Sequence, residues 1–325
     1  MAGNKDITIL VPGKLHPHAV ETLREAFDLV TIDAADPALV TDALKDKVRG
    51  IACSTTISAA FIDAFPKLEI VASFGVGYDA VDARHAGTVG VMVTNTPDVL
   101  TEEVADTALG LLLNTVRELP KAEAWLRDGR WEKDGNYPLT KTTLRDRTAG
   151  IFGMGRIGQA IARRLEAFGI AVHYHNRRKV EGMSYAYHDT LVGLAEAVDT
   201  LIAVAPGGAS TLKAINGPVL KALGPEGVLV NIGRGSVVDE QALIAALSDG
   251  TIAAAGLDVF EKEPHVPAQL MALPNACLLP HVGSASVHTR KAMAQLVADN
   301  ILGWFGKGAA VTPVPETAHV SSTAG

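Results

Sequence analysis

The first hundred residues alternate short apolar runs with segments whose apolar positions recur at helical spacing. The apolar runs predict five strands, at residues 7–11, 29–32, 50–53, 70–73 and 91–94. Helical patterns lie between them, among them residues 18–27 and 37–47. Strands that alternate with helices in this way predict a parallel sheet covered on both faces.

A second alternating stretch begins after residue 95 and predicts a second sheet. It opens with a helix at 101–119, capped by Thr101, with Glu102 and Glu103 in the first turn, where the helix dipole favours acids. The run 109–113 is too apolar for a solvated surface, so we expect it between domains or in a subunit interface. Six strands follow, at 148–152, 171–174, 200–204, 228–232, 253–259 and 276–279.

The last part of the chain is expected to leave this second sheet. A helix pattern at 287–304 follows the final strand, and we expect it to pack on the first domain. The Pro-, Thr- and Ser-rich tail from residue 311 is expected to be poorly ordered. These boundaries predict a first domain made of 1–98 and 287–325, with a second domain, 99–286, inserted into it.

Residues 148–179 carry the most specific motif. An apolar strand meets Gly153, Gly155 and Gly158 in G-x-G-x-x-G spacing, and an amphipathic helix and a second strand follow. Glycines so placed make a tight turn, let the backbone approach a pyrophosphate and allow close helix–strand packing. The helix N-terminus offers free N–H groups to phosphate. Because strand, turn, helix and strand fall in register, the segment predicts a dinucleotide site.

The end of the second strand of this motif indicates which dinucleotide binds. NAD sites usually place an acidic residue there for the ribose hydroxyls, whereas an arginine suits a 2′-phosphate. This chain has Asn176, Arg177, Arg178 and Lys179 and no acid. Guanidinium groups bind phosphate through paired hydrogen bonds. We therefore predict NADP(H), with a solvated basic loop as the alternative.

Composition narrows the class of protein. The 325 residues suit two domains, and 48% hydrophobic with 20% charged residues describes a well-cored globular chain. A net charge of −7 argues against nonspecific nucleic-acid binding. Cys53 and Cys277 lie in apolar runs and are expected to be small core residues, with no disulfide and no metal site. The N-terminus lacks the apolar stretch of a signal peptide and no run reaches the length of a membrane span, which favours the cytoplasm.

Three features follow strands of the second domain, where ligands lie in open α/β sheets. Arg234 stands between glycines and is suited to clamp a carboxylate. Three carboxylates, Asp258, Glu261 and Glu263, cluster at the end of the next strand. His281 ends the last strand, and a neighbouring carboxylate favours its protonated, donating form. The set predicts hydride transfer to a 2-oxo acid, in which histidine delivers the proton.

The chain resembles the D-isomer-specific 2-hydroxyacid dehydrogenases over nearly its whole length. The matching segments are SFGVGYDAVD at 73–82, NTPDVLTEEVADTALGLLL at 95–113, GMGRIG at 153–158, NIGRGSVVDEQAL at 231–243, GLDVFEKEP at 256–264 and LLPHVGSAS at 278–286. The resemblance implies a Rossmann cofactor domain inserted into a flavodoxin-like substrate domain. It also implies that Arg234, Glu263 and His281 are catalytic and that the backbone of Val76 and Gly77 helps to hold the substrate carboxylate.

The resemblance implies the cofactor contacts as well, with Asp258 on the nicotinamide amide. The expected contacts are Gly153, Met154, Gly155, Arg156, Ile157, Gly158, Asn176, Arg177, Arg178, Ala205, Pro206, Ile232, Gly233, Arg234, Asp258, His281 and Gly283. The Asn-Arg-Arg-Lys end resembles the NADPH-using glyoxylate/hydroxypyruvate reductases and their hydroxyphenylpyruvate-reducing relatives. We therefore expect an NADPH-dependent reductase of glyoxylate and hydroxypyruvate. The apolar helix near 101–119 and the segment 120–140, with Trp125 and Trp131, separately predict a homodimer. The alternatives are an aromatic 2-oxo acid as substrate, or a dinucleotide-sensing partner protein without turnover.

Overall fold

Two parallel sheets, of five and seven strands, organise the described residues, 4–322, in this computed structural model. One unit comprises the described residues up to Leu100 together with those from Ala285 onward, and the other is the continuous stretch Thr101–Ser284. All strand pairs in both sheets are parallel, which confirms the predicted fold class. In residues 4–322, no helix has the length and apolar character needed to cross a membrane.

The sheet of the first unit has the order β2-β1-β3-β4-β5. Its strands are β1 (Asn4–Pro12), β2 (Phe27–Ile32), β3 (Val48–Cys53), β4 (Ile70–Ser73) and β5 (Met92–Thr94). The helices that follow strands here are α1 (Pro17–Ala26), α2 (Asp42–Lys45), α3 (Ala59–Asp63) and α4 (Ala83–Thr88). The central strands carry runs of buried apolar residues, 9–11 in β1, 51–53 in β3 and 70–72 in β4, as expected for strands covered on both faces.

The prediction of one continuous helix at 37–47 is wrong, because the structure has two short helical segments there. A 3₁₀ turn (Pro37–Leu39) and α2 are separated by Val40 and Thr41, which have extended backbone. The side chain of Val40 is buried in the core of the unit. The extended backbone at Val40 points its side chain into the core, and it interrupts the helix that the pattern predicted.

The sheet of the second unit has the order β12-β11-β10-β9-β6-β7-β8. Its strands are β6 (Thr148–Phe152), β7 (Ala171–His175), β8 (Ala186–Tyr187), β9 (Thr200–Ala203), β10 (Val228–Asn231), β11 (Ala254–Leu257) and β12 (Ala276–Leu278). The helices are α5 (Thr101–Arg117), α6 (Leu119–Arg127), α7 (Arg130–Asp134), α8 (Arg156–Ala167), α9 (Leu191–Glu196), α10 (Gly217–Leu223), α11 (Glu240–Ser248) and α12 (Ala268–Met271). The six predicted strands are present, and the edge strand β8 was not predicted.

Helix α5 corrects two expectations. Thr101 is the first residue inside the helix, and its buried hydroxyl has no hydrogen-bond partner among the described residues, so it is not the cap. The expectation that the apolar run 109–113 lies between domains or in a subunit interface is also wrong. Leu109, Leu111 and Leu112 are buried where α5 packs on α8 and β11 of its own unit. Leu111 packs closely on the backbone of Gly256 in β11.

The C-terminal segment returns to the first unit, to which its described residues, 285–322, belong. Helix α13 (Val287–Lys307) places Val297, Ala298 and Ile301 in the core beside β1. Beyond it, Val314 is buried, and its N–H donates to the carbonyl of Val93 at 2.9 Å. The expectation of a poorly ordered tail is therefore wrong for residues 311–322, and residues 323–325 lie outside the described residues.

The two cysteines differ in environment. Cys53 is fully buried in β3, and burial raises the pKa of its thiol to about 12. Cys277 lies in β12 at the edge of its sheet and is only half-buried, which corrects the expectation of two core cysteines.

Candidate active site

Three neighbouring strands bring the predicted catalytic side chains to one edge of the second sheet. Arg234 follows β10, Asp258 and Glu263 follow β11, and His281 follows β12. The last residues of β10 and β11 pair as Asn231 with Leu257, and β11 and β12 are also adjacent. Carboxyl ends of parallel strands meet at the same edge, so three segments far apart in sequence converge there.

His281 and Glu263 form a hydrogen-bonded pair. Nδ1 of His281 lies 2.7 Å from Oε2 of Glu263, and the other carboxylate oxygen accepts the N–H of Phe260 at 3.0 Å. The carboxylate fixes Nδ1 as a donor, which leaves Nε2 as the ring atom that gains or loses a proton. Nε2 has no hydrogen-bond partner among the described residues, and the imidazole is 47% exposed, so a ligand can reach it. The pair has the geometry of a proton donor with its supporting carboxylate.

Asp258 holds the turn that presents His281. Its carboxylate, 1% exposed, accepts the N–H groups of Val282 at 2.7 Å and Gly283 at 2.8 Å, and its carbonyl accepts the N–H of His281. His281 has φ +53°, a left-handed conformation that costs a non-glycine residue about 1–2 kcal/mol. Burial raises the pKa of Asp258, and the two N–H bonds act in the opposite direction. The three bonds stabilise the strained turn.

The segment carrying Arg234 is fixed by Asn231 and by a close backbone contact. The buried Asn231 donates to the carbonyl of Arg234 at 2.9 Å and accepts the N–H of Gly233 at 3.1 Å. Gly235 lies so close to the backbone of Phe260 that a Cβ there would overlap it. Arg234 is half-buried. Its segment is therefore packed directly against the segment that leads to Glu263.

The glycine motif follows β6, where the sheet order reverses between β7 on one side and β9 on the other. Gly153 has φ +108°, and a Cβ there would lie 2.6 Å from the N atom of Ala205, which follows β9. A Cβ on Gly158 would overlap the carbonyl of Gly153, so α8 packs directly on the turn. Gly155, by contrast, faces open space and begins α8 without a side-chain cap. The N–H groups at the start of α8 and the open space beside Gly155 fit a pyrophosphate.

Other predicted cofactor residues surround this turn. Met154 is buried, and its N–H is already donated to the side chain of Asn176. Ile157 and Arg156 lie in the first turn of α8. Gly233 stands against Ala205, because a Cβ on it would lie 2.9 Å from the Ala205 carbonyl. Pro206 follows Ala205, and the buried Ile232 precedes Gly233. The strand ends of β6, β9 and β10 thus bring these residues together.

The residues that follow β7 have two different environments. Asn176 accepts the N–H of Met154 at 2.7 Å, so its side chain already holds the glycine turn. Arg177 and Arg178 are exposed, and neither makes an ion pair or side-chain hydrogen bond within residues 4–322. Two neighbouring guanidinium groups without a protein partner fit the 2′-phosphate of NADP(H).

In the first unit, the loop after β4 presents two N–H groups. The N–H of Thr96 donates to the carbonyl of Gly75 at 2.8 Å, and the Asn95 amide donates to the carbonyl of Val76 at 2.7 Å. In a trans peptide the carbonyl and the next N–H point in opposite directions. The N–H groups of Val76 and Gly77 therefore point away from residues 95–96, and neither has an acceptor among the described residues. Paired N–H groups of this kind suit a carboxylate.

Sequence reasoning missed the residues that hold these loops. Asn231 begins the segment 231–243 and Asn95 begins the segment 95–113, but the sequence predicted no function for either residue. Thr107 of α5 donates to the carbonyl of Gly283 at 3.2 Å, and Glu240 accepts the N–H of Glu261 at 3.3 Å. The partners of Asn95, Thr107 and Glu240 are backbone groups 19, 176 and 21 positions away, so no spacing along the chain could have revealed them. Asn231 bonds within its own loop, two and three residues on, and a lone asparagine after a strand gives no signal of that contact.

Comparison with known proteins agrees with this geometry. A family model described as D-isomer specific 2-hydroxyacid dehydrogenase, NAD binding domain, matches residues 109–283. A glyoxylate/hydroxypyruvate reductase A of Arabidopsis thaliana is 41% identical over 95% of this chain and 99% of its own. A hydroxyphenylpyruvate reductase of Plectranthus scutellarioides is 49% identical over 79% of this chain and 81% of its own. A structure of an NADPH-dependent glyoxylate/hydroxypyruvate reductase from Sinorhizobium meliloti, in complex with NADP and malonate, is 62% identical. It superposes with a TM-score of 0.94 and covers 96% of this chain and 98% of that one.

Proposed function

Because the chain belongs to the D-isomer specific 2-hydroxyacid dehydrogenase family, we propose that it is an NADPH-dependent reductase of small 2-oxo acids, glyoxylate and hydroxypyruvate first among them. The observation that carries this proposal is the hydrogen-bonded pair of His281 and Glu263 at the edge of a sheet that also bears the glycine turn. A protein that only senses a dinucleotide has no need of such a proton donor.

NADPH, when bound, supplies a hydride to the carbonyl carbon of the substrate. His281 donates its Nε2 proton to the carbonyl oxygen, and Glu263 keeps the ring oriented and stabilises its charged form. Arg234 binds the substrate carboxylate through paired N–H bonds, and the N–H groups of Val76 and Gly77 bind it as well. In the reverse direction, Nε2 of His281 is the base that accepts the hydroxyl proton.

The cofactor is assigned to the glycine turn and to the arginines after β7. The N–H groups at the start of α8 would hold the pyrophosphate, and Arg177 and Arg178 would hold the 2′-phosphate. Asp258 would contact the nicotinamide amide, as the family resemblance implies.

A steady-state assay with purified protein tests the activity. Wild type should oxidise NADPH with glyoxylate or hydroxypyruvate, and His281→Ala should lower kcat by about 10²–10⁴-fold without changing NADPH affinity. His85→Ala is the matched control, because His85 forms an equally short pair, 2.7 Å, with Asp63 in the first unit. Retention of more than about a tenth of wild-type kcat in His281→Ala would assign the proton to another group.

The cofactor preference has its own test. NADPH should exceed NADH in kcat/KM by about two orders of magnitude, mainly through KM, because two charge-assisted contacts contribute roughly 1.5–3 kcal/mol each before screening. Changing Arg177 and Arg178 together to alanine should remove most of this preference and leave turnover with saturating NADH nearly unchanged. Equal efficiency with both cofactors in the wild type would mean that the arginines form only a solvated loop.

An aromatic 2-oxo acid is the second candidate substrate. The hydroxyphenylpyruvate reductase of Plectranthus scutellarioides favours it, since its identity exceeds that of the Arabidopsis thaliana reductase, although over a shorter span. Hydroxyphenylpyruvate therefore belongs in the substrate panel. A kcat/KM for it above those for glyoxylate and hydroxypyruvate would reassign the substrate.

We also propose a homodimer that uses the segment 119–139. Leu119, Leu126, Trp131 and Leu139 are exposed there, α6 buries no residue, and a hollow is lined by Leu126, Gly129, Trp131 and Glu132. Exposed apolar surface of this kind usually marks an interface, and aromatic residues are enriched in interface cores. The cytoplasm as the compartment stays a prediction of the sequence.

A further inference from the structure

Asn95, which directs the Val76 carbonyl, is itself held by the C-terminal segment. The hydroxyl of Thr312 donates to the carbonyl of Asn95 at 2.7 Å, and the N–H of Asn95 faces the carbonyl of Thr312 at 3.4 Å. The side chain of Asn95 then donates to the carbonyl of Val76. These hydrogen bonds join Asn95 to Thr312, which lies 217 positions further along the chain.

Thr312 is fixed in turn by a buried asparagine of α13. Asn300, 0% exposed, donates to the Thr312 hydroxyl at 2.8 Å and accepts the N–H groups of Val311 and Thr312, both at 2.9 Å. The Thr312 hydroxyl thus has one bond as acceptor and one as donor, so its proton can point only to Asn95. Asn300, Thr312 and Asn95 form a continuous series of bonds from α13 to the loop after β4.

We propose that Thr312 is a positioning residue for substrate binding, acting through Asn95 on the peptide between Val76 and Gly77. Asn95 holds the Val76 carbonyl on one side of that peptide, and the Gly77 N–H therefore points to the other side, toward the carboxylate. Thr312 touches no reacting atom. The inference rests on the proposed function, because it assigns the paired N–H groups to the substrate carboxylate.

Thr312→Val tests the role with little change in shape. The variant removes both hydroxyl bonds, so Asn95 can rotate and the Gly77 N–H loses its fixed direction. We expect KM for the 2-oxo acid to rise about five- to tenfold, the value of one net hydrogen bond. We expect kcat at saturating substrate, and KM for NADPH, to stay within about twofold of wild type. Thr312→Ser keeps the hydroxyl and should restore the wild-type KM.

Thr317→Val is the matched control. Thr317 is a second threonine of the C-terminal segment, fully buried where Thr312 is half-buried, and its hydroxyl accepts the N–H of Val93 at 3.0 Å and has no bond to Asn95. Both variants should lower the melting temperature, and only Thr312→Val should change KM for the 2-oxo acid. If Thr312→Val does not fold, Asn95→Asp gives the same test, because it replaces the donor to Val76 by an acceptor.

The outcomes separate this inference from the proposed function. If Thr312→Val keeps the wild-type kcat and the wild-type KM for the 2-oxo acid, or if Thr317→Val raises that KM equally, the inference is wrong. Thr312 would then only stabilise the C-terminal segment. A fall in kcat at constant KM would also overturn the inference. A wild type that reduces no 2-oxo acid would overturn the proposed function, and this role of Thr312 with it.

Discussion

At the residue scale, two carboxylates at the end of β11 have different partners and therefore different consequences. Glu263 bonds to the ring of His281, whereas Asp258 bonds to the backbone that follows His281. Glu263 can influence the charge of the imidazole, and Asp258 can influence where the imidazole stands. The two effects are separable by substitution with the corresponding amide.

Glu263→Gln should lower kcat for reduction by roughly 10–100-fold, because its amide has one oxygen to accept both the Nδ1–H of His281 and the N–H of Phe260, and a charge-assisted bond contributes about 1.5–3 kcal/mol. The measurement is kcat at saturating glyoxylate and NADPH in both proteins. Glu261→Gln is the control in the same segment, since the Glu261 side chain lies near Lys213 instead. A kcat that stays at the wild-type value would separate Glu263 from the chemistry of His281.

Asp258→Asn should lower kcat by roughly 10–100-fold, because an amide has one acceptor atom for two N–H groups and a charge-assisted bond contributes about 1.5–3 kcal/mol. The dissociation constant of NADPH, followed by fluorescence titration, should stay close to wild type. Asp249→Asn is the control, since Asp249 also accepts a backbone N–H, that of Thr251 at 2.9 Å. Weakened NADPH binding with intact kcat would instead make the nicotinamide contact the main role of Asp258.

At the scale of elements, the sequence predicted what its apolar runs encode. Each central strand of both sheets contains a run of buried apolar residues, so the positions of these strands were predicted within a few residues. Strand β8 has only Ala186 and Tyr187 and carries no such run. The C-terminal segment was misjudged from its composition, because polar Thr312 and Thr317 are satisfied by partners on β5 and α13 that the local sequence does not show.

The candidate site follows the same division. Arg234, His281 and a cluster of three carboxylates were found because each follows an apolar strand, and strand ends are where parallel sheets bind ligands. The family resemblance then implied Glu263 as the catalytic member of that cluster. The close contact between Gly235 and Phe260, in contrast, depends on how two loops of neighbouring strands pack. Contacts of this kind are determined by three-dimensional packing and leave no periodic signal in the chain.

Gly235→Ala should therefore damage both stability and activity. A Cβ at this position overlaps the backbone of Phe260, which cannot move aside as a flexible side chain can. Overpacking of this sort costs roughly 1–3 kcal/mol, and it should separate the Arg234 segment from the Glu263 segment. Calorimetry and kcat/KM measure the two effects. Gly217→Ala, whose Cβ would meet nothing within 4 Å, should change neither; equal behaviour of the two variants would contradict the packing argument.

At the scale of the whole molecule, the exposed apolar residues are unevenly distributed. Between residues 119 and 139 four large apolar side chains are exposed, and Leu139 reaches 97%. The proposed dimer would bury them against a second copy. Helices α6 and α7 carry charges of both signs, so two copies related by a two-fold axis can avoid facing like charges.

Light scattering should give twice the chain mass of 34.0 kDa at micromolar concentration. Changing Leu126 and Trp131 together to glutamate should produce a monomer, because buried unpaired charges oppose association. Met271→Glu is the control, since Met271 is as exposed as Trp131, 59% each, and lies outside this segment. A wild-type monomer, or a dimer unaffected by the double substitution, would contradict the proposed interface.

The discontinuous first unit also sets an order for synthesis on the ribosome. The second unit is one continuous stretch, so all of its strands have been made by the time residue 284 is added. The first unit, although it is translated first, still lacks α13, whose Val297 and Ile301 complete the core around Ile9. Until that helix emerges, only α1, through Leu23, covers this apolar face of the nascent sheet, and incompletely covered surfaces of that kind attract chaperones or aggregate. The first unit therefore begins translation but is completed last. A chain terminated before α13 would contain the glycine turn of the second unit, but its first unit would lack Val297 and Ile301 from the core.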